Sequence, residues 1–386
     1  MTMKKNRILF LDGLKGFACL GVFTHHFFLT FFPASYFGAD AEVRTVSGFE
    51  ARLASAPYAF FINGNFWVCL FILISAFLIS DRVFRIKEEE SGRAFPALSK
   101  LILKRYVRLM VPVLVIGIFA HVLTDILTFV NLNYMNKVNE LSFLSLLKHA
   151  VIYTWITPDS SVQGPFWMLH YLLFGSYFAV LIALATPKAS RWTPFIHLFI
   201  AFFMGKYHYY YIAAVFGVMI SYEYSYGKIF SFLQRSQALR MISGAVLMLI
   251  GLFLGAYPSY GLPDNIYSVF RFYAVRDPET YILIHCIGAA CLLVSFFLLY
   301  TVAKIFSTAP FLFIGKISFS IYMIHTMLLT YLGYFMMHRL VEQTGIYSFA
   351  GVIAYILLTV LLFLLSLLCY HTVERFGNWV CKRLFG

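Results

Sequence analysis

Long runs of apolar residues alternate with short polar segments along almost the whole chain. A helix that crosses a bilayer needs about 20 consecutive, predominantly apolar residues. The pattern predicts ten transmembrane helices, at 8–32, 58–80, 106–130, 165–186, 193–205, 208–222, 241–257, 281–303, 311–337 and 347–370. We therefore expect an all-α polytopic membrane protein in which residues 1–386 form a single membrane domain.

Two parts of this pattern are irregular. The fifth and sixth predicted helices are short, and only Lys206 and Tyr207 separate them. Another apolar stretch, 141–157, is interrupted by Lys148 and His149. We interpret this stretch as an interfacial or re-entrant segment, because it is too short and too polar to span a bilayer comfortably.

The composition supports a membrane protein. Apolar residues make up 61% of the chain and charged residues only 12%, whereas soluble domains are about half apolar and a quarter charged. Soluble, disordered and coiled-coil classes are therefore excluded. The six cysteines include no Cys-x-x-Cys pair, so we expect neither a metal site nor a disulfide framework.

The formal net charge of +13 is distributed unevenly between the two sides of the predicted bundle. Twenty Lys and Arg residues fall in the segments on the side of the N-terminus, and eight fall in those on the opposite side. Because basic residues concentrate in cytoplasmic loops, this bias predicts that both termini are cytoplasmic. Membrane topology thus explains the net positive charge, and we expect no nucleic-acid partner.

The first predicted helix carries three ionisable residues on one face. At about 100° per residue, Asp12 and Lys15 lie about 60° apart, and His26 lies about 20° from Lys15. His25 lies well round the helix. An ionisable group inside a membrane is costly, so this stripe indicates a functional site, although a stripe for helix packing is the simpler alternative.

Polar residues also share faces on later helices. Arg105 and Arg108 are three residues apart at the cytoplasmic boundary, where two guanidinium groups suit a phosphate-bearing ligand; topology and lipid headgroups are the alternative explanation. Ser318, Tyr322 and His325 follow the spacing i, i+4 and i+7, which places them on one helical face.

Five segments together resemble the acyltransferase-3 family of integral-membrane O-acyltransferases. They are Asp12-Gly13-Leu14-Lys15-Gly16 with His26 on the same helix, Leu70 to Phe77, Arg105 to Arg108 with Pro112, Gly315 to His325, and Glu374-Arg375. The chain departs from the family pattern at Lys15, where arginine is usual, and at Ala76, where glycine is usual. It is similar to the stand-alone form, without the esterase-like domain that many members append.

The resemblance implies transfer of an acyl group, usually acetyl, from cytoplasmic acyl-CoA to a hydroxyl of an extracytoplasmic carbohydrate or glycan at the cell membrane. Acyl-CoA would be a co-substrate, and no cofactor would be bound permanently. The implied roles are phosphate binding by Arg105 and Arg108, and general base catalysis by His26, with His25 as the alternative. Asp12 and Lys15 would orient or bias the base. The same resemblance implies substrate binding by Ser318, Tyr322, His325 and Glu374.

Two other functions remain open at this stage. A proton-coupled transporter of a small polar or sugar-like solute would also carry intramembrane Asp, Lys and His. Such transporters usually show two related halves, and this chain shows none. A non-catalytic membrane scaffold could use histidines for packing, but it would not require polar stripes on several helices.

Overall fold

The computed structural model of the protein describes residues 8–89, 94–129, 141–188 and 190–386. Residues 1–7, whose charges enter the topology prediction, and residues 131–140 of the predicted outer loop 131–164 lie outside these ranges. The described ranges contain helices and connecting turns but no strand.

Ten helices of 13 or more residues form the bundle in the described part of the chain. They are α1 (Leu9–Phe31), α2 (Gly64–Glu89), α3 (Ala94–Phe129), α4 (Trp167–Ala185), α5 (Thr193–Gly205), α6 (Tyr210–Tyr226), α7 (Gln237–Gly255), α8 (Thr280–Leu298), α9 (Ala309–Met327) and α10 (Tyr347–Cys369). Each coincides with one predicted apolar segment. The predicted all-α polytopic membrane class is therefore confirmed.

Not all ten helices are long enough to cross a bilayer. Among the described residues, seven are long and apolar enough, and an eighth qualifies if α1 and its bent continuation form one span. The helices α5 and α6, with 13 and 17 residues, are only about 20 and 26 Å long at 1.5 Å per residue. The side of the membrane on which the termini lie stays a prediction.

The helix ends differ from the predicted boundaries in two ways. The helix α1 ends before Pro33, and the chain turns by 103° into Ala34–Asp40, because proline lacks the amide hydrogen that would continue the helix. The predicted cytoplasmic loop 81–105 is largely helical, since α2 continues to Glu89 and α3 begins at Ala94. Hydropathy misses these extensions because Lys, Arg and Glu are good helix formers.

The segment that we interpreted as interfacial or re-entrant forms the short apolar helix Phe143–Ile156. A π-helical turn at His149–Tyr153 interrupts it. Its length is below that of a span, and its position relative to the bilayer stays a prediction.

The helix α2 is the central element of the bundle. It packs against α1, α4, α6 and α8, and 83% of its apolar 18-residue stretch is buried inside the protein. The large side chains of Phe66, Trp67 and Phe77 are fully buried on it. Because the other helices surround it, α2 is the scaffold against which the candidate site is built.

The helices α1 and α9 touch through their backbones. A Cβ atom on Gly16 would lie 2.5 Å from the amide nitrogen of Gly315, so only glycine fits at this crossing. His26 follows Gly16 by ten residues, and His325 follows Gly315 by ten residues. Since the two histidine rings are also in contact, with centroids 5.1 Å apart, α1 and α9 run parallel and rise together by about 15 Å between the two contacts.

Candidate active site

A basic cavity of about 770 Å³ lies at the end of the bundle where α1 and α9 begin. Of the residues that the structure describes, seven with cationic side chains line it: Lys15, Arg82, Lys104, Arg105, Arg108, Lys316 and Lys382. Among the described residues that line the cavity, Glu374 is the one acidic side chain. The cavity therefore presents a concentrated positive charge that favours a ligand with several negative groups.

The two arginines identified from their spacing both line this cavity. Arg105 donates a hydrogen bond from Nη2 to the hydroxyl of Ser75 on α2, and Arg108 lies one turn further along the same face. Ser75 belongs to the segment that resembles the family's second-helix motif. This contact ties α3 to α2 and restricts the orientation of the Arg105 guanidinium group.

Lys15 lines the cavity while paired with Asp12. The Lys15 Nζ atom lies 3.1 Å from the Asp12 carboxylate, as expected for residues three apart on a helix. His26 is 11 residues further along α1, which is about 16 Å at 1.5 Å per residue. The predicted stripe is therefore divided into an ion pair at the cavity and a histidine beyond it, and direct contact between Lys15 and His26 is excluded.

Glu374 is tied to α9 by two hydrogen bonds. It ends the π-helical turn Tyr370–Glu374 that follows α10, and its Oε1 atom accepts from the Ser320 amide at 3.0 Å and the Ser320 hydroxyl at 2.5 Å. Nearby, the Ser318 hydroxyl donates to the Gly315 carbonyl at 3.0 Å. Both Ser318 and Glu374 line the cavity, so α9 and the end of α10 form one wall.

The second part of the site is the histidine pair, which we define as His26 and His325. The Nδ1 atom of His325 donates to the Tyr322 carbonyl at 2.7 Å. Because a carbonyl only accepts, the neutral ring carries its proton on Nδ1 and its lone pair on Nε2. That Nε2 atom is buried and has no hydrogen-bond partner in the described structure. The Tyr322 hydroxyl donates to the Pro165 carbonyl.

Other histidines in the bundle have structural partners. His25 donates from Nδ1 to the Ile62 carbonyl at 2.9 Å. His170 uses both ring nitrogens, with Nδ1 donating to the Trp155 carbonyl at 2.8 Å and Nε2 accepting from the Tyr211 hydroxyl at 2.9 Å. His170, with both ring nitrogens engaged, has a packing role. His25 donates from Nδ1 to a backbone carbonyl as His325 does, so it stays the alternative to His26 as the base.

The structure thus brings the nine predicted site residues into two groups. Asp12, Lys15, Arg105, Arg108, Ser318 and Glu374 form or adjoin the cavity, whereas His26, Tyr322 and His325 form a cluster further along α1 and α9. None of the second group is among the residues that line the cavity. The two groups are connected by α1 and α9, whose crossing sets their separation.

Sequence reasoning missed several residues of the cavity wall. Arg82, Lys104 and Lys382 were treated only as topology charges, and Lys316 only as part of the Gly315 to His325 segment, because a count of basic residues does not show that they line one cavity. The sequence feature that these four residues share is their position, because each lies within a few residues of a motif or a helix end. The described residues contain no group of three or more His, Cys, Asp or Glu that could hold a metal ion.

The fold and the site together define a polytopic membrane protein with a basic cavity next to a buried histidine pair. The family model described as an acyltransferase domain, that of the acyltransferase-3 family, matches residues 8–371, which is nearly the whole chain. The protein therefore belongs to the acyltransferase-3 family and is a multi-pass membrane acyltransferase. No curated protein and no solved structure matches the chain significantly.

Proposed function

We propose that the protein transfers an acyl group, most simply acetyl, from cytoplasmic acyl-CoA to a hydroxyl of an extracytoplasmic carbohydrate or glycan. The observation that carries this proposal is the basic cavity, which lies at the end of the helices predicted to be cytoplasmic. The acyl donor is a co-substrate that enters and leaves, and the cell membrane is the proposed location.

The charge of the cavity suits coenzyme A. Seven cationic side chains face a single carboxylate among its described lining residues, and coenzyme A carries a pyrophosphate and a 3′-phosphate. Arg105 and Arg108 offer planar guanidinium groups that bind phosphate oxygens in pairs. An anionic lipid headgroup has the same phosphate chemistry, so the proposal requires that acyl-CoA compete for this cavity.

The separation between the cavity and the histidine pair suits the shape of the donor. Coenzyme A places its phosphates at one end and its thioester at the other, joined by the linear pantetheine arm. With the phosphates at Arg105 and Arg108, that arm extends along α1 and α9 toward His26. The arrangement therefore keeps phosphate recognition and acyl transfer in different parts of the protein.

Transfer requires a base, because an alcohol is a poor nucleophile at neutral pH. The neutral imidazole of His26 removes the proton from the acceptor hydroxyl as its oxygen attacks the thioester carbonyl carbon. The new C–O bond forms, the C–S bond breaks, and the thiolate of coenzyme A takes the proton. His325 lies against His26 with its Nε2 lone pair unpartnered, so it is placed to share or relay that proton.

The purified protein in lipid nanodiscs provides the test. Incubation with acetyl-CoA and a panel of sugar and glycan acceptors should release free coenzyme A thiol only when a suitable acceptor is present. Mass spectrometry of cell-envelope glycans with and without the gene should then show an acyl mass shift on that acceptor. Proton-driven uptake of a solute, with no thiol release in the presence of any acceptor, would instead support the transporter alternative.

A further inference from the structure

The segment before α4 holds a buried polar side chain next to the histidine pair. Gln163 is only 1% exposed, and its Oε1 atom accepts a long hydrogen bond, 3.4 Å, from the Thr326 hydroxyl. Two residues later, the Pro165 carbonyl accepts from the Tyr322 hydroxyl. The segment is therefore attached to α9 at positions on both sides of His325, within one helical turn.

The amide group of Gln163 is only half satisfied. Its Nε2 atom is buried and contacts no acceptor in the part of the chain that the structure describes. Since the amide is planar and its oxygen faces Thr326, its N–H groups point in a different direction. Burying an unpaired polar group opposes folding, and such a group in a native protein calls for an explanation. The unpartnered Nε2 of His325 on the same turn indicates that the explanation is a polar ligand.

Most of the other donors around this turn are already engaged. The Tyr322 hydroxyl donates to Pro165, the Thr326 hydroxyl donates to Gln163, and the His325 Nδ1–H donates to the Tyr322 carbonyl. His26 has the proposed role of general base, so it accepts a proton rather than donating one to the substrate carbonyl. Among these described side chains, the Gln163 Nε2 is thus the donor that remains for a substrate.

We propose that Gln163 is a catalytic residue whose Nε2–H donates a hydrogen bond to the carbonyl oxygen of the acyl group at the histidine pair. This inference rests on the proposed acyl transfer. When the acceptor oxygen bonds to the carbonyl carbon, the π electrons move onto the carbonyl oxygen, which becomes negative. The bond from Gln163 strengthens in that intermediate. It relaxes when the C–S bond breaks and the carbonyl re-forms, so it stabilises the transition state more than the ground state.

The test compares Gln163→Leu and Gln163→Glu with the full-length protein in nanodiscs. Leucine removes the amide at similar size, whereas glutamate keeps an acceptor for Thr326 and, when ionised, removes the donor. Gln163→Leu should lower kcat about 100- to 1000-fold, which is typical for the loss of one oxyanion donor, and Gln163→Glu should do the same at a pH at which its carboxyl is ionised. The KM for acyl-CoA should stay within about threefold of the unaltered protein, because the phosphates bind in the separate basic cavity.

A stability measurement separates this role from a structural one. Leucine removes a buried, unpaired N–H group and loses only the long bond from Thr326, so the Tm of Gln163→Leu should stay close to that of the unaltered protein. Ser221→Ala provides the control: Ser221 on α6 is also buried with an unpartnered hydroxyl, and it does not line the cavity. Its kcat should be unchanged.

Three results would overturn the inference. If Gln163→Leu retains kcat within about threefold, Gln163 donates no important bond, and the proposed acyl transfer stands without it. If its Tm and activity fall together, Gln163 is structural. If the unaltered protein releases no thiol with any acceptor, the proposed function and this role both fail, which the Gln163 variants alone would not reveal.

Discussion

The crossing of α1 and α9 predicts that a single methyl group at Gly16 will disturb the chemistry at a distance. In Gly16→Ala the new Cβ would lie 2.5 Å from the Gly315 nitrogen and 2.7 Å from the Ile314 carbonyl carbon. Ordinary van der Waals contact begins near 3.4 Å, so the helices must separate locally by about 0.9 Å, the difference between the two distances. Backbone atoms cannot rotate aside, so the helices themselves must move.

Two effects of known size should follow. Extra volume in a well-packed interior costs about 1–3 kcal/mol of folding free energy. The shift also moves His26 relative to His325, and a misplacement of about 1 Å in a reacting group costs about 100-fold in rate. We therefore expect Gly16→Ala to lower kcat by about one to two orders of magnitude, in addition to its loss of stability.

Thermal unfolding and turnover per folded molecule would be measured in the same preparation. Gly251→Ala is the matched control, because its Cβ would lie 2.8 Å from the Leu292 nitrogen at the crossing of α7 and α8, away from the site. It should lose stability but keep its turnover. Normal turnover in Gly16→Ala, or an equal loss of turnover in Gly251→Ala, would refute the reasoning that the glycine contact positions the histidine pair.

Three further predictions concern single groups. His26→Ala should abolish transfer while the protein still inserts and folds, and normal turnover would remove His26 from the role of base. Truncating Arg105 or Arg108 to alanine should raise the acyl-CoA KM about tenfold or more, because each charge-assisted contact contributes about 1.5–3 kcal/mol and about 1.4 kcal/mol corresponds to one decade. The double Arg105→Lys, Arg108→Lys variant should recover only part of this loss, because a point charge cannot reproduce the bidentate fork; an unchanged KM in that variant would refute the phosphate clamp. Burial alone would raise the pKa of Glu50, but the hydrogen bonds from Thr45 outweigh it and hold that pKa below its ordinary value. The ionised Glu50 therefore stabilises the segment between α1 and α2 fully above the ordinary carboxylate pKa, and this stabilisation is lost as pH falls through the lowered pKa. Limited proteolysis of this segment should increase on acidification. The increase should be less steep in Glu50→Gln, which has no carboxylate to protonate.

Hydropathy predicts where the helices lie, and helical periodicity predicts which of their residues share a face. Much of the fold and part of the candidate site could therefore be predicted from the sequence. The three-residue spacing of Arg105 and Arg108 on one helix predicts that their side chains share a face, and both line the basic cavity. Helical periodicity also indicated Lys15, which lines the same cavity. These predictions succeed because a single helix fixes the relative directions of its own side chains.

Contacts between distant helices could not be obtained in the same way. The pairing of His26 with His325 depends on which helices touch and at what height, and helical periodicity carries no such information. Gln163 was missed for a related reason, since it lies in an irregular segment without a period. It lies in a stretch of Thr, Pro, Asp, Ser and Gly residues just before the apolar run of α4, so the sequence does not distinguish it from a surface glutamine.

The equal ten-residue intervals above Gly16 and Gly315 restrict how this protein can be altered. One residue inserted in either interval would turn its histidine by about 100° and raise it by about 1.5 Å relative to the other. The same insertion in both intervals would keep the two rings at equal height but turn each by about 100° about its own helix axis, away from their contact. A hybrid protein that exchanges α1 with a related enzyme must therefore exchange α9 as well, although roughly 300 residues separate the two glycines along the chain. The two helices together fix the distance between the basic cavity and the histidine pair, which under the proposed acyl transfer would have to match the length of the donor.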